Sequence, residues 1–199
     1  MAEELDVSVI QEAVRKRYAD VACSAAGKFG YPTGRAGAVG FGYDAMLLKD
    51  LPDTVLESFC GVGNPFSLGA IYPGEVVLDV GCGAGFDVIV ASRLVGPRGR
   101  VYGIDMTPEM VERAERNLQQ AGVRNAQVVL ACAEAMPYIA HRFDVVLSNG
   151  VLNLSPLKTR SFREIVRVLK PGGRLQYADI VLQETLPAEV AGNLEAWSG

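Results

Sequence analysis

The sequence predicts an α/β protein with a doubly wound, mostly parallel sheet. Short apolar runs of strand length recur at 76–80, 100–105, 126–131 and 143–148, and stretches of helical periodicity separate them. Glycine turns and proline-opened helices punctuate the junctions, the pattern of strand–loop–helix units whose sheet is covered on both faces.

The elements come in order. Val7, Ile10, Val14 and Tyr18 recur at helical spacing after a capping Asp6, so an amphipathic, packing helix is expected, with Gly27 able to stop it. Residues 27–45 hold six glycines and a proline, including Tyr31-Pro32-Thr33-Gly34-Arg35, and suggest an irregular segment draped over a site as a lid. From Gly74 the pattern changes. Val76 to Val80 is a strand, a Gly-rich turn comes next, and a helix runs from about Phe86 to Val95. Arg100 to Asp105 is the second strand; Thr107-Pro108 supplies an N-cap and an N1 proline for a helix reaching Ala121-Gly122. Ala126 to Ala131 and Phe143 to Ser148 are the third and fourth strands. Ser155-Pro156 opens a helix through Leu169, and Lys170-Pro171-Gly172-Gly173 turns into a fifth strand, Arg174 to Val181. Two regions are expected: a helical and glycine-rich cap over residues 1–73, and a ligand-binding domain over 74–199. After the fifth strand there is room for one helix and not for another strand pair, which leaves that strand as an edge a second copy would cover, giving a homodimer.

Composition narrows the function. With 19 Lys+Arg against 23 Asp+Glu and no basic stretch, the chain lacks the electrostatic footprint for a nucleic-acid backbone. The most apolar region is interrupted by Asp79, Asp87 and Arg93, so no membrane span is expected, and the acidic start is unlike a secretory leader. Cysteines at 23, 60, 82 and 132 form no C-x-x-C pair. That argues against a structural metal or a disulfide framework and suits a reducing cytoplasm; Cys23, Cys82 and Cys132 are expected to be small buried residues.

Ligands of an open parallel sheet bind beyond the carboxyl ends of its strands. The first such loop reads Asp79-Val80-Gly81-Cys82-Gly83-Ala84-Gly85-Phe86, a G-x-G-x-G pattern; the dinucleotide fingerprint would need Gly or Ala at Phe86. Glycines at 81, 83 and 85 remove side chains that would hold a ligand off the backbone and permit a tight turn. Asp105, ending the second strand roughly 20 residues on, is placed to accept both hydroxyls of a ribose. Loop and acid together mean a nucleoside.

These motifs resemble the class I S-adenosylmethionine-dependent methyltransferases, with Val77 to Gly85 as the first motif, reinforced by Gly103-Ile104-Asp105-Met106, Ala133-Glu134-Ala135-Met136-Pro137 and Leu169-Lys170-Pro171-Gly172-Gly173. The resemblance implies a Rossmann-like methyltransferase fold, lacking its last antiparallel strands, and S-adenosyl-L-methionine as cofactor. It places Asp79, Gly81, Cys82, Gly83 and Gly85 at the methionine part, Asp105 at the ribose, Met106 at the adenine face, and Ala133 and Glu134 at the adenine edge. Within that superfamily the chain is most similar to arsenite methyltransferases, on Gly61-Val62-Gly63-Asn64-Pro65 and Ser148-Asn149-Gly150-Val151-Leu152-Asn153-Leu154. That family binds trivalent arsenic through cysteines, and this chain has Val62 and Gly150 where two of them stand. Cys60 is a displaced candidate thiol, and one thiolate is a poor clamp for a thiophilic ion.

The resemblance implies methyl transfer to a small-molecule acceptor. Two alternatives remain open: a cofactor-binding regulatory homologue that no longer transfers methyl, and a nicotinamide oxidoreductase. Methyl transfer from a sulfonium needs alignment and desolvation more than a base. Asn149 and Asn153 lie just beyond the fourth strand and would face cofactor or acceptor, Asn149 as a cofactor contact and both as candidate catalytic groups; Asn153 is equally placed to cap a turn. Tyr31 is a further candidate, and Tyr43 either shields the site or packs. Asp87 is expected to be a helix N-terminal charge and His141, before the fourth strand, to lie at the opposite end of the sheet.

Overall fold

The structure, a computed structural model, describes residues 6–181. The chain opens with α1 (Val7–Cys23), α2 (Gly34–Gly40), α3 (Ala45–Leu48) and α4 (Asp53–Leu56), then alternates β1 (Val76–Val80), α5 (Phe86–Val95), β2 (Arg100–Asp105), α6 (Pro108–Gln120), β3 (Ala126–Leu130), β4 (Phe143–Asn149), α7 (Lys158–Val168) and β5 (Leu169–Ala178). The sheet order is β3-β2-β1-β4-β5 and every pairing is parallel. The order reverses between β1 and β4, which opens a crevice at the carboxyl ends of β1 and β2.

The two faces of the sheet explain why its strands look uniformly apolar in sequence. Val77, Val101, Val128, Val145 and Leu147 turn to one face and pack with Val88, Ile89 and Val95 of α5 and with Ala114 and Leu118 of α6. Their neighbours Leu78, Val80, Ile104 and Val146 turn to the other, against Met136, Leu152 and α7's Ile165 and Val168. Burial on both faces converts an alternating pattern into a continuous one. Asp6 caps α1 as its spacing indicates, accepting from the Ser8 amide at 2.8 Å. No helix among the described residues is long and apolar enough to cross a membrane.

Four expectations change. The glycine-rich stretch is not irregular throughout, because it contains α2 and α3; the amide of Gly34 is held by the Phe59 carbonyl at 2.7 Å, and packing overrides the poor helix propensity of glycine. β5 begins at Leu169, not Arg174, and ends at Ala178. α7 runs into it without a loop, and Lys170 to Gly173 form an irregularity at which the register jumps from Phe143↔Leu169 to Val145↔Arg174. Thr107 makes no side-chain cap; its amide donates to Asp105 instead. Cys23 is exposed, being the last residue of α1, whereas Cys82 is buried and Cys132 half-buried. The chain after the fifth strand, 182–199, lies outside the described residues, and with it the expected single helix and absent strand pair.

The segment before β1 shares the sheet's core: Tyr43, Leu48, Leu51, Val55, Leu56 and Phe59 belong to the same apolar cluster as Val77 and Phe86. Phe59 is its pivot, edge-on to Tyr43 at 5.3 Å and to Phe86 at 4.9 Å between ring centroids. Phe59→Ala is therefore expected to cost about 3–5 kcal/mol and to lower one cooperative transition. Scanning calorimetry checks this; a separate, earlier cap transition with the sheet unaffected would show that the cores are independent.

Candidate cofactor site

The β1–α5 loop lies in the crevice with three left-handed glycines, Gly81, Gly83 and Gly85, at φ 72°, 50° and 81°. Such a path is open to glycine and strained for other residues. Gly85 also lets α5 approach α6: a Cβ there would lie 3.1 Å from that of Ala114. The loop is held from below by the Gly81 and Cys82 amides, which donate to the Ile104 carbonyl at 2.8 and 2.9 Å. Cys82 points its thiol under Gly103 and away from the crevice, where a Cβ on Gly103 would meet it at 2.8 Å.

Asp105 ends β2 beside this loop. One carboxylate oxygen accepts from the Gly83 amide and the other from the Thr107 amide, each at 2.9 Å. The carboxylate is thus oriented by backbone at the wall of the pocket. Burial pushes Asp105 above the ordinary carboxylate range, opposed by those hydrogen bonds. Burial pushes Asp79 well above it, with further repulsion from Asp87 and Asp105. The Asp79 carboxylate, on a residue 2% exposed, has no hydrogen-bond partner among the described residues. The groups that act most on Asp79, Asp87 and Asp105, beside burial itself, are neighbouring acids, hydroxyls and amides.

A pocket of about 780 Å³, its open mouth included, stands over this floor. Its wall contains Gly81, Gly83, Asp105, Met106, Ala133, Glu134 and Asn149 among the residues expected from sequence, and no lysine, arginine or histidine. Glu134 is oriented by the Ser155 hydroxyl at 2.5 Å. Asp79, Cys82 and Gly85 support the floor and do not form the wall. Cys60, the displaced candidate thiol, lines the opposite wall, where sequence reasoning missed Gln11, Val14 and Tyr18 of α1. Their one-sided spacing was visible, but nothing in it distinguishes a pocket wall from ordinary packing. Burial pushes the Cys60 thiol up to about 12, helped by Asp105 and Asp87, which keeps it protonated.

The remaining candidates lie elsewhere or are engaged. Tyr31 donates to the Cys60 carbonyl at 3.1 Å and stacks on Phe29. Asn153 sits in a 3-10 turn, its amide N–H bonded to Asp179 and its side-chain oxygen buried without a partner among the described residues. Tyr43 is buried, with its hydroxyl on Asp87 at 2.7 Å. His141 is at the amino end of the sheet, exposed, with φ 59° and its ring 3.1 Å from the Leu169 carbonyl. Val62 and Gly150 face each other across the crevice: a Cβ on Gly150 would lie 3.1 Å from a Val62 methyl.

A glycine cradle, a backbone-oriented acid at the second strand and a buried carboxylate without a hydrogen-bond partner among the described residues suit a nucleoside bearing positive charge. Residues 71–199 match the family described as a methyltransferase domain, and the chain belongs to that family. It is 36% identical over 213 residues to an arsenite methyltransferase of Halobacterium salinarum, covering 100% of this chain and 54% of that protein. It is also 36% identical over 168 residues to the arsenite methyltransferase of Mus musculus, covering 75% of this chain and 44% of the relative. Among solved structures it is similar to CrArsM, an arsenic(III) S-adenosylmethionine methyltransferase from Chlamydomonas reinhardtii, with TM-score 0.66 and 38% identity over 73% of this chain and 51% of that one. The chain thus spans about half the length of these relatives.

The raised acids set a pH dependence. Burial pushes Asp87 up to about 6 from its ordinary 3.8, against the pull of its Tyr43 and Asn149 hydrogen bonds. Between those values the folded protein keeps a proton the unfolded chain has lost, so this contribution is fully present below about pH 4 and is lost as pH rises through 6. Thermal midpoints of the ligand-free protein are expected to fall over that window, and Asp87→Asn to make the decline shallower. Equal slopes in both proteins would remove Asp87 as the source.

Proposed function

We propose that this chain transfers the methyl group of S-adenosylmethionine to a small-molecule acceptor, using a cofactor site of the arsenite methyltransferase kind. The observation that carries the reading is Asp105, held by two backbone amides at the lip of a pocket whose charged wall residues are all acidic. Such a wall repels a pyrophosphate and suits a sulfonium and an ammonium, which favours this cofactor over a nicotinamide dinucleotide.

When bound, the cofactor supplies an electrophilic methyl whose transfer consumes positive charge. The residues of the chain orient and desolvate. Gly81 and Gly83 let the ligand lie against backbone, Asp105 accepts the ribose hydroxyls, Met106 and Ala133 flank the base, and Glu134 accepts from its edge. Asp79, beneath the floor, favours a cationic amino-acid end by its charge. The acceptor side offers carbon where the arsenite enzymes are expected to offer sulfur: Val62 meets Gly150, and Cys60 stays protonated. This favours, as a second reading, a homologue that binds the cofactor without methylating arsenite.

Four free thiols suit a reducing cytoplasm. β5 pairs only with β4 among the described residues, and exposed Tyr177 and Phe162 flank it, which supports a homodimer through that edge. Sedimentation as a monomer at high concentration would end that part of the proposal.

Calorimetry is expected to give micromolar binding of S-adenosylhomocysteine and none of NAD(P). Asp105→Ala should weaken that binding by about 1–3 kcal/mol through lost charge-assisted hydrogen bonds. Unchanged affinity would mean that the ribose lies elsewhere. Radiolabelled methyl donor offered with arsenite, selenite, thiols, phenols and amines tests transfer; incorporation into none would favour the non-methylating reading.

A further inference from the structure

Asn149 stands at the end of β4, where a cofactor contact was expected, yet its amide is already spent. Its oxygen accepts from the amides of Val62 at 2.9 Å and Gly63 at 3.2 Å. Its nitrogen donates to the Gly63 carbonyl at 2.9 Å and to an Asp87 oxygen at 3.0 Å, with the Tyr43 hydroxyl at 3.2 Å. Tyr43 donates in turn to the other Asp87 oxygen. A carboxamide has two acceptor sites and two donors, so none remains for a ligand. Gly61 permits the approach, since a Cβ there would collide with the Asn149 amide. One side chain thus ties together the cap segment 61–63, the first turn of α5 and the end of β4.

We infer that Asn149 is a positioning residue: with Asp87 and Tyr43 it latches residues 60–63 over the crevice, so that cofactor affinity depends on it through the cap and not through contact. The inference rests on the cofactor reading above, but the latch itself can be measured without ligand.

The test uses the full chain and S-adenosylhomocysteine as probe. Asn149→Ala removes the latch. Amide exchange at Val62 and Gly63 is expected to accelerate about tenfold or more and the dissociation constant to rise by a similar factor. Asn149→Asp keeps the acceptors and loses the donors, placing a carboxylate against the Gly63 carbonyl and Asp87. Tyr43 and Asp87 face this position directly, and Asp79, Asp105 and Cys60 lie around Asp87. The affinity ratio of Asn149→Asp to wild type should therefore be about tenfold at pH 8 and shrink to within about threefold at pH 5.5, where a shared proton restores a donor, while the Ala ratio stays flat. A mere stabilising contact would not produce that split. Wild-type exchange rates at Val62 and Gly63 in Asn149→Ala would overturn the latch. So would weakened binding of Asn149→Asp by a ratio that does not change with pH. If the wild-type protein bound no S-adenosylhomocysteine, the cofactor reading would fail, and the exchange arm would still decide the latch.

Discussion

Buried carboxylates without a cation are the constraint around which this molecule is arranged. Asp79, Asp87 and Asp105 gather at the carboxyl ends of β1 and β2 and the first turn of α5, desolvated and mutually repelling. Taking a carboxylate out of water costs several kcal/mol unless hydrogen bonds or opposite charge offset it. The fold supplies the hydrogen bonds unevenly: Asp105 has backbone amides, Asp87 has Tyr43 and Asn149, and Asp79 has none among the described residues. Positive charge is the compensation these groups call for, and the pocket above them is the place for a ligand to bring it.

The sheet was legible because its physics is local. β1, β2 and α5 lie where apolar runs and glycine turns put them, and the parallel arrangement results from their alternation with helices. Asp105 was legible for a similar reason, since a strand's end carries its last side chain into the crevice whatever the rest of the chain does. Legibility fails where a residue's partner is distant in sequence. α2 forms in a stretch too rich in glycine to predict it, because Phe59 and Pro32 receive it. Lys170 to Gly173 has the composition of a turn, but its neighbours on β4 draw it into the sheet as an irregularity. Asn149 has the address of a ligand contact, and only the fold shows that Val62, Gly63, Tyr43 and Asp87 occupy its amide. In each case tertiary contact outweighs local preference.

The acceptor side shows how a shared scaffold departs from its relatives. Two positions that the resemblance assigns to thiols are brought close together as Val62 and Gly150. Their adjacency is a property of the loops after β4 and before β1, while the identity of the atoms there belongs to the sequence. The cofactor floor, made of backbone amides and glycines, does not depend on that identity. Site chemistry and scaffold therefore vary separately.

The two rims of the sheet are built differently. At the amino rim α7 passes into β5 at Val168-Leu169 with no intervening loop, and His141 and Arg142 are sewn to Arg167 and Val168 by backbone hydrogen bonds. At the carboxyl rim glycine-bearing loops and the N-terminal segment meet around the pocket. A loop inserted at the first rim would have to break those hydrogen bonds and part α7 from β5, whereas the glycine-bearing loops of the second rim can lengthen without parting two elements.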